Sequence, residues 1–471
     1  MKKYFILLIS VLCFGEINWE IETVDSVDNY QSCVTLYHNA LAIDTNKTPH
    51  IVYHKNNHLV RAMRDSTGWQ KDTIESGLLY SSPSLVIDKN NVGHLSYYRY
   101  DTISQATYIC YCRFENDNWM ISIVDSLFGI LTPYWFSFGY FRTSIDVNSL
   151  NNPGITYVSF NPADSVFFIK YAYFDGSNWN ISVVEYDTGG GSINQPSDQW
   201  LNLKFNSQDI PHIAYHHIVG QTDTIKLAYW SDSLNRWLKD TVYNHAYGCA
   251  PISFAINERD EPYIAHGVNV GLYCSFRHNG IWNHDYTGID IGWLNTTFSL
   301  ALDSLSNSHI IYTVMGSGPR YLFRDSIWHD GGELDTLNSV VYKLVSDRND
   351  RLHFTYVSGG LPRLKYAQST SVGVEENYTK YGISGVRLKM EIFPSISYGV
   401  LNVEYDLKNW GGVTMEIYDI IGARRKSIKL VNCQPGHHQK AMNLADLASG
   451  VYFLVLKQGS EKVSKKFILM R

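Results

Sequence analysis

Apolar and polar residues alternate along most of this chain with a period of two, the pattern of half-buried antiparallel strands. The alternation comes in a unit that returns. A short apolar strand ends in Asp or Asn, a His follows six residues later, and a Tyr three residues after that. The unit reads Ile43-Asp44 with His50 and Tyr53, Ile87-Asp88 with His94 and Tyr97, and, with two extra residues, Ile145-Asp146 with Gly154 and Tyr157. It continues as Phe205-Asn206 with His212 and Tyr215, and as Ile256-Asn257 with Tyr263 and His266. Leu302-Asp303 with His309 and Tyr312, and Ser346-Asp347 with His353 and Tyr356, complete the series. Each unit runs on into a second strand pair. Lys170-Tyr171-Ala172-Tyr173, for example, leads through Asp175-Gly176-Ser177-Asn178 into a strand opened by Trp179, and Trp69, Trp119, Trp237, Trp282 and Trp328 stand at the equivalent point elsewhere.

The seventh unit stops at Leu364-Lys365-Tyr366-Ala367 without its Trp strand. The missing piece stands at the other end of the chain, where Trp19-Glu20-Ile21-Glu22-Thr23-Val24-Asp25 matches the strand after Trp69. An open array has no use for such a permutation, whereas a ring does. Ile17 to Ala367 is 351 residues, about 50 per unit, the size of a four-stranded blade. The fold expected is all-β: a seven-bladed β-propeller over residues 16–368, closed by the N-terminal strand. A pair of β-sandwiches is the competing arrangement, and it does not account for the even spacing of the tryptophans. A polar stretch, 369–385, reads as a linker, and from about Val386 the repeat is gone. Residues 386–471 then alternate as in a small Ig-like sandwich, with turn signals at Ile421-Gly422 and Ser449-Gly450.

Lys2 and Lys3 precede an 11-residue apolar run, Tyr4 to Phe14, with small residues at Cys13 and Gly15, so residues 1–15 read as a secretory signal. The run is shorter than a membrane span, which takes about 20 residues, and no later stretch is long and apolar enough for one. The 471-residue chain is 45% hydrophobic, 18% charged and rich in Tyr (34) and Trp (12), which excludes global disorder and favours sheets. A net charge of −6 argues against a nucleic-acid partner. Residues 388–471 carry 12 Lys+Arg against 7 Asp+Glu, a balance of +5 that leaves −11 for the rest. Beyond the signal, six cysteines without a C-x-x-C are too few for a disulfide scaffold.

Two resemblances follow. The Asp-x5-His-x2-Tyr unit and the Gly/Asn-Trp turn resemble the sialidase-like and BNR-like propeller repeats, though the Ser-x-Asp-x-Gly-x-Thr-Trp box of sialidases is absent. The last 80 or so residues resemble the C-terminal sorting domain of type IX secretion. The residues that carry this are Ile392-Phe393-Pro394, Gly399-Val400-Leu401-Asn402-Val403, Met415 to Gly422, Leu444 to Phe453 with its Leu-Ala-Ser-Gly-Val-Tyr block, and Lys465-Lys466-Phe467. The resemblance implies handling by the secretion machinery, export across a bacterial outer membrane, and a secreted or cell-surface location.

Candidate chemistry is sparse. One His per blade cannot gather into a coordination sphere, so the repeated His is expected to serve its own turn, beside the preceding Asp. The Asp/Asn turns lack the later bidentate Glu of a calcium loop. No cofactor or metal is expected. The insertions are more informative. Asp125 to Thr143 contains Tyr134, Trp135, Phe138 and Tyr140; a second, Tyr186 to Trp200, ends in Trp200; blade four adds His216 and His217. These seven residues are the expected ligand-binding set, because variable propeller loops gather on one face and aromatic rings suit sugars or a protein partner. No linear catalytic motif occurs. The function expected is non-catalytic binding of an extracellular glycan or protein; a glycoside hydrolase or lyase, and a structural surface-layer or adhesion role, are the alternatives.

Overall fold

The computed structural model describes residues 17–27, 39–370 and 389–470, leaving aside 78, 116–117, 129–141, 162–165, 188–200, 220–221, 246–251, 269–270, 292–296, 315, 326, 337–338, 360–361, 394–395, 398, 408–410, 421, 435 and 459–460. Every regular element among them is a β-strand. The chain divides into two compact units after Glu375.

The first unit is a β-propeller of seven four-stranded antiparallel sheets. Their first strands are Asn39–Ile43, Leu79–Ile87, Thr143–Val147, Leu201–Phe205, Ile252–Ile256, Phe298–Leu302 and Ser339–Ser346. Each of these touches the next, and Ser339–Ser346 touches Asn39–Ile43, so they form a closed inner ring. Trp19–Ser26 pairs antiparallel with Arg363–Ser369, with Glu22 opposite Tyr366, and supplies the fourth strand of blade seven. The blades bury their apolar faces on one another: Leu41, Ile51, Tyr53, Leu364 and Tyr366 form one such layer across the seam between blades seven and one. The signal segment (1–15) and most of the linker (369–385) lie outside the described residues.

The inner ring is clasped by serines. Ser84, Ser144, Ser253 and Ser299 hold equivalent places, and each Oγ accepts a backbone N–H from the next blade's first strand: Ile145 (3.2 Å), Leu203 (2.9 Å), Leu300 (2.9 Å) and Leu344 (2.9 Å). These bonds join first strands that share no sheet, and they use backbone groups that burial would otherwise leave unpaired.

The second unit packs a three-stranded sheet (Lys389–Phe393, Val400–Leu407, Gly436–Asn443) on a five-stranded one (Ile396–Ser397, Glu461–Leu469, Gly450–Gln458, Gly411–Asp419, Arg424–Cys433). Leu401, Val403 and Tyr405 meet Met415, Ile417, Leu454 and Phe467 in its core.

Candidate functional site

The repeated Asp or Asn opens a five-residue turn between the first two strands of each blade. In blade three the opener is Asn148, two residues past the Asp146 of the sequence pattern, because Asn148 Oδ1 takes the turn amides of Leu150 and Asn152 while Asp146 is bound to Lys204 and Phe205. In Asp44 to Thr48, Oδ1 of Asp44 accepts the N–H groups of Asn46 (2.9 Å) and Thr48 (2.7 Å). Asp88 and Asp347 repeat this with Asn90 and Val92, and with Asn349 and Arg351. The fourth turn residue is left-handed: Asn91, Asp209, Asp260 and Asp350 have φ of 64°, 60°, 60° and 59°, which Asn and Asp tolerate best among residues with a side chain. Their side chains reach back to the preceding turn. Thr45 donates to Asn91, Ser149 to Asp209, Ser207 to Asp260 and Ser304 to Asp350, each through both its N–H and its hydroxyl. Neighbouring turns are thereby linked around this face of the ring.

The repeated His lies behind its turn. Nε2 of His50, His94, His309 and His353 faces the opening Asp at 3.5, 3.5, 3.4 and 3.4 Å. Nδ1 of His94, His309 and His353 accepts the hydroxyl of Tyr111 (2.8 Å), Tyr321 (2.7 Å) and Tyr366 (2.6 Å) on the third strand. Burial by itself pushes the Asp303 and Asp347 carboxyls up, but His309 and Asn307, and His353 with the turn amides, outweigh it and hold both below the usual carboxylate range. Burial lowers the His94 imidazole against the pull of Asp88. No group of three or more His, Cys, Asp and Glu among the described residues has the arrangement of a metal site. In blade three the His position is Gly154, because a Cβ there would meet Tyr171 Oη at 2.8 Å and the Phe205 ring at 2.9 Å.

The repeated Tyr bonds across the blade border. Tyr53, Tyr97, Tyr157 and Tyr356 donate to Asp25 (2.7 Å), Glu75 (2.8 Å), Asp125 (2.7 Å) and Asp335 (2.7 Å), each near the end of the preceding blade's fourth strand. Tyr215 does the same to Glu185 at 3.3 Å. A cation completes each group: Lys55 and Lys71, Arg99, Lys170, Lys365, and Lys226 with Lys239. At the fourth border the motif is inverted. His266 stands where the others have Tyr, Tyr243 stands where Asp25, Glu75, Asp125 and Glu185 stand elsewhere, and their rings lie 5.1 Å apart. Tyr312, in blade six, instead accepts from Arg320 at 3.1 Å.

Cys110, Cys112 and Cys274 are buried free thiols, each pushed up to about 12 by burial, so they are packing residues rather than nucleophiles. Of the expected ligand-binding residues, Tyr134, Trp135, Phe138, Tyr140 and Trp200 lie outside the described residues. His216 and His217 lie within the strand Pro211–Val219 rather than in a loop; His216 is buried and His217 partly so. The described strands still fix where the two insertions leave the ring. Fourth strands end, and first strands begin, at the same end of a blade as the connection between second and third strands. On the face opposite the linked turns, Asn118–Phe128 ends and Thr143–Val147 begins on one side of blade three, and Trp179–Asp187 ends and Leu201–Phe205 begins on its other side.

The family model for the secretion system C-terminal sorting domain matches residues 391–470. The C-terminal unit belongs to that family. Such a domain marks proteins exported by the type IX system to the cell surface or beyond it. No curated protein matches the sequence significantly. Solved structures similar to the chain include PorZ, a surface component of the type IX secretion system of Porphyromonas gingivalis (11% identity, 92% of this chain and 59% of that one, TM-score 0.40). They also include an Aleuria aurantia lectin bound to Fucα1-6GlcNAc (12%, 64% and 97%, 0.41) and the polysaccharide lyase Uly1 (11%, 74% and 93%, 0.47).

In the sorting domain the Leu-Ala-Ser-Gly-Val-Tyr block is a plug. Leu444 and Leu447 are buried, joined by a Leu447 N–H to Leu444 carbonyl bond, and the Tyr452 hydroxyl donates to the Ala448 carbonyl at 2.9 Å. Gly422 closes the turn from Asp419 at φ 76°, a left-handed position that favours glycine. Hydrogen bonds from Lys457, Tyr418 and Arg424 pull the Glu416 carboxyl down to about 2.

Proposed function

We propose that this is a surface-delivered binding protein whose propeller holds an extracellular glycan, without cleaving it, between the two aromatic insertions that flank blade three. The observation that carries this reading is the contrast between the two faces. On one, the turn carboxylates and hydroxyls are engaged with neighbouring turns. At the other lie the ends of the strands that bracket the two insertions, Phe128 to Thr143 and Asp187 to Leu201, and the sequence between those strand ends contains Tyr134, Trp135, Phe138, Tyr140 and Trp200. Aromatic faces with a polar edge suit sugar rings, which present C–H on one side and hydroxyls around the rim. His217 stands on the adjoining blade, on the strand that leads to the same face.

Binding of the full chain to a glycan array and to cell-wall preparations tests the proposal. The double variant Tyr134→Ala/Trp135→Ala and the single variant Trp200→Ala, on opposite flanks, should each weaken binding at least tenfold. Binding unchanged in both variants rejects the site, and release of sugar from a polysaccharide panel rejects the non-catalytic reading.

A further inference from the structure

The first strands enclose a channel of about 300 Å³ lined by Ser84, Ser144, Asn202, Lys204 and Lys343, with Asp44, Asp88, Asp347 and Arg348 at its rim. Lys343 interrupts the serine ring: it stands in blade seven where blades two, three, five and six have Ser84, Ser144, Ser253 and Ser299. The channel carries an unbalanced charge. Asp146 is committed on both oxygens, Oδ1 to Lys204 at 3.5 Å and Oδ2 to the Phe205 N–H at 3.0 Å. The rim carboxylates are turned to their own turns: Asp44, Asp88 and Asp347 accept backbone N–H groups on Oδ1 and face His50, His94 and His353 with Oδ2. No carboxylate lies within ion-pair distance of the Lys343 ammonium among the described residues.

We infer that the central channel is a binding site for a small oxyanion, a carboxylate or phosphate group received by the Lys343 ammonium and the hydroxyls of Ser84 and Ser144. The serines are suited to this. Each Oγ already accepts an N–H from the next blade, which leaves its own hydroxyl proton to donate into the channel. An ammonium enclosed in a narrow channel is poorly hydrated, so an anion there gains more than it would at the surface. Burial, and then the nearby Lys204, lower Lys343 to about 8, against the pull of Asp146. The site therefore loses its charge within an accessible pH range.

Calorimetric titration of the full chain with glucuronate and, separately, with inorganic phosphate tests this, and whichever binds names the source of the oxyanion. Lys343→Met should weaken binding by about tenfold to a hundredfold, and Lys343→Arg should restore it. Glucuronate does not titrate between about pH 6.5 and 9.5, so its affinity should fall across that range with the Lys343 charge. Equal binding by wild type and Lys343→Met, or no binding of either anion at about 10 mM, overturns the assignment.

Discussion

Nδ1 of His353 and the hydroxyl of Tyr366 lie 2.6 Å apart, and through them the first turn of blade seven is tied to the first blade of the ring. His353 backs onto Asp347 on one side, and on the other the Tyr366 ring takes the edge of Trp69, centroid to centroid 5.3 Å, from blade one. The same series runs from Asp303 through His309 and Tyr321 to Trp19, and from Asp88 through His94 and Tyr111 to Trp179. The repeated His is thus the middle of a structural chain that begins in a turn and ends on the next blade's tryptophan.

Removing the Tyr366 hydroxyl isolates a buried imidazole nitrogen. Tyr366→Phe should cost about 1–3 kcal/mol, read from the urea midpoint, while the Trp69 ring contact survives. A loss below about 0.3 kcal/mol would show that His353 gains nothing from the bond.

Asp25 gathers Tyr53, Lys55 and Lys71 at the seam. Asp25→Asn should destabilise the propeller by about 1–3 kcal/mol. Deleting Trp19–Ser26 should do more, because it bares the whole edge of Arg363–Ser369 and invites pairing between molecules. Urea unfolding and size-exclusion chromatography read the two effects, and a monomer of wild-type stability after the deletion would refute the role given to this strand.

The propeller should weaken in two acid steps. His94 and His212 sit below the ordinary imidazole value of 6.5, burial being the main cause, so the stability they contribute is complete above 6.5 and declines as pH falls below it. Asp44, Asp303 and Asp347 sit below 3.8, so their share is present above 3.8 and is lost only as pH falls further. Urea midpoints across pH check both steps. The pair His94→Gln/His212→Gln should flatten the first step and leave the second.

Cys110, Cys112 and Cys274 should resist iodoacetamide in the folded chain at pH 8 and react on unfolding, since burial holds all three thiols near 12. Mass spectrometry of the labelled peptides reports this directly.

The strands, turns and repeat were legible because their signals are local: period-two alternation, an Asp that bonds its own turn amides, and a Trp after each Gly/Asn turn. The placing of His50, His94, His309 and His353 beside the preceding Asp was equally readable from the six-residue offset. The partners of Tyr53, Tyr97, Tyr157, Tyr215 and Tyr356 were not, because each carboxylate belongs to the preceding unit. The signal was present, as an acidic residue closing successive Trp strands: Asp25, Glu75, Asp125, Glu185, Asp335. The exchanged Tyr263 and His266 looked like an irregular repeat. It has a physical reason, since Tyr243 has replaced the carboxylate and the His266 ring packs against it at a tilt of 47°. Lys343 stands four residues before Asp347, as Ser84 and Ser299 stand before Asp88 and Asp303, but that offset gains meaning only once the first strands close into a ring around a channel.

The seam also imposes an order of events. Residues 19–26 have no sheet partner until 363–369 exist, so this strand must wait for nearly the last of its domain. The export address comes later still, at 391–470. A product truncated before Tyr366 therefore lacks its fastening and its ticket together.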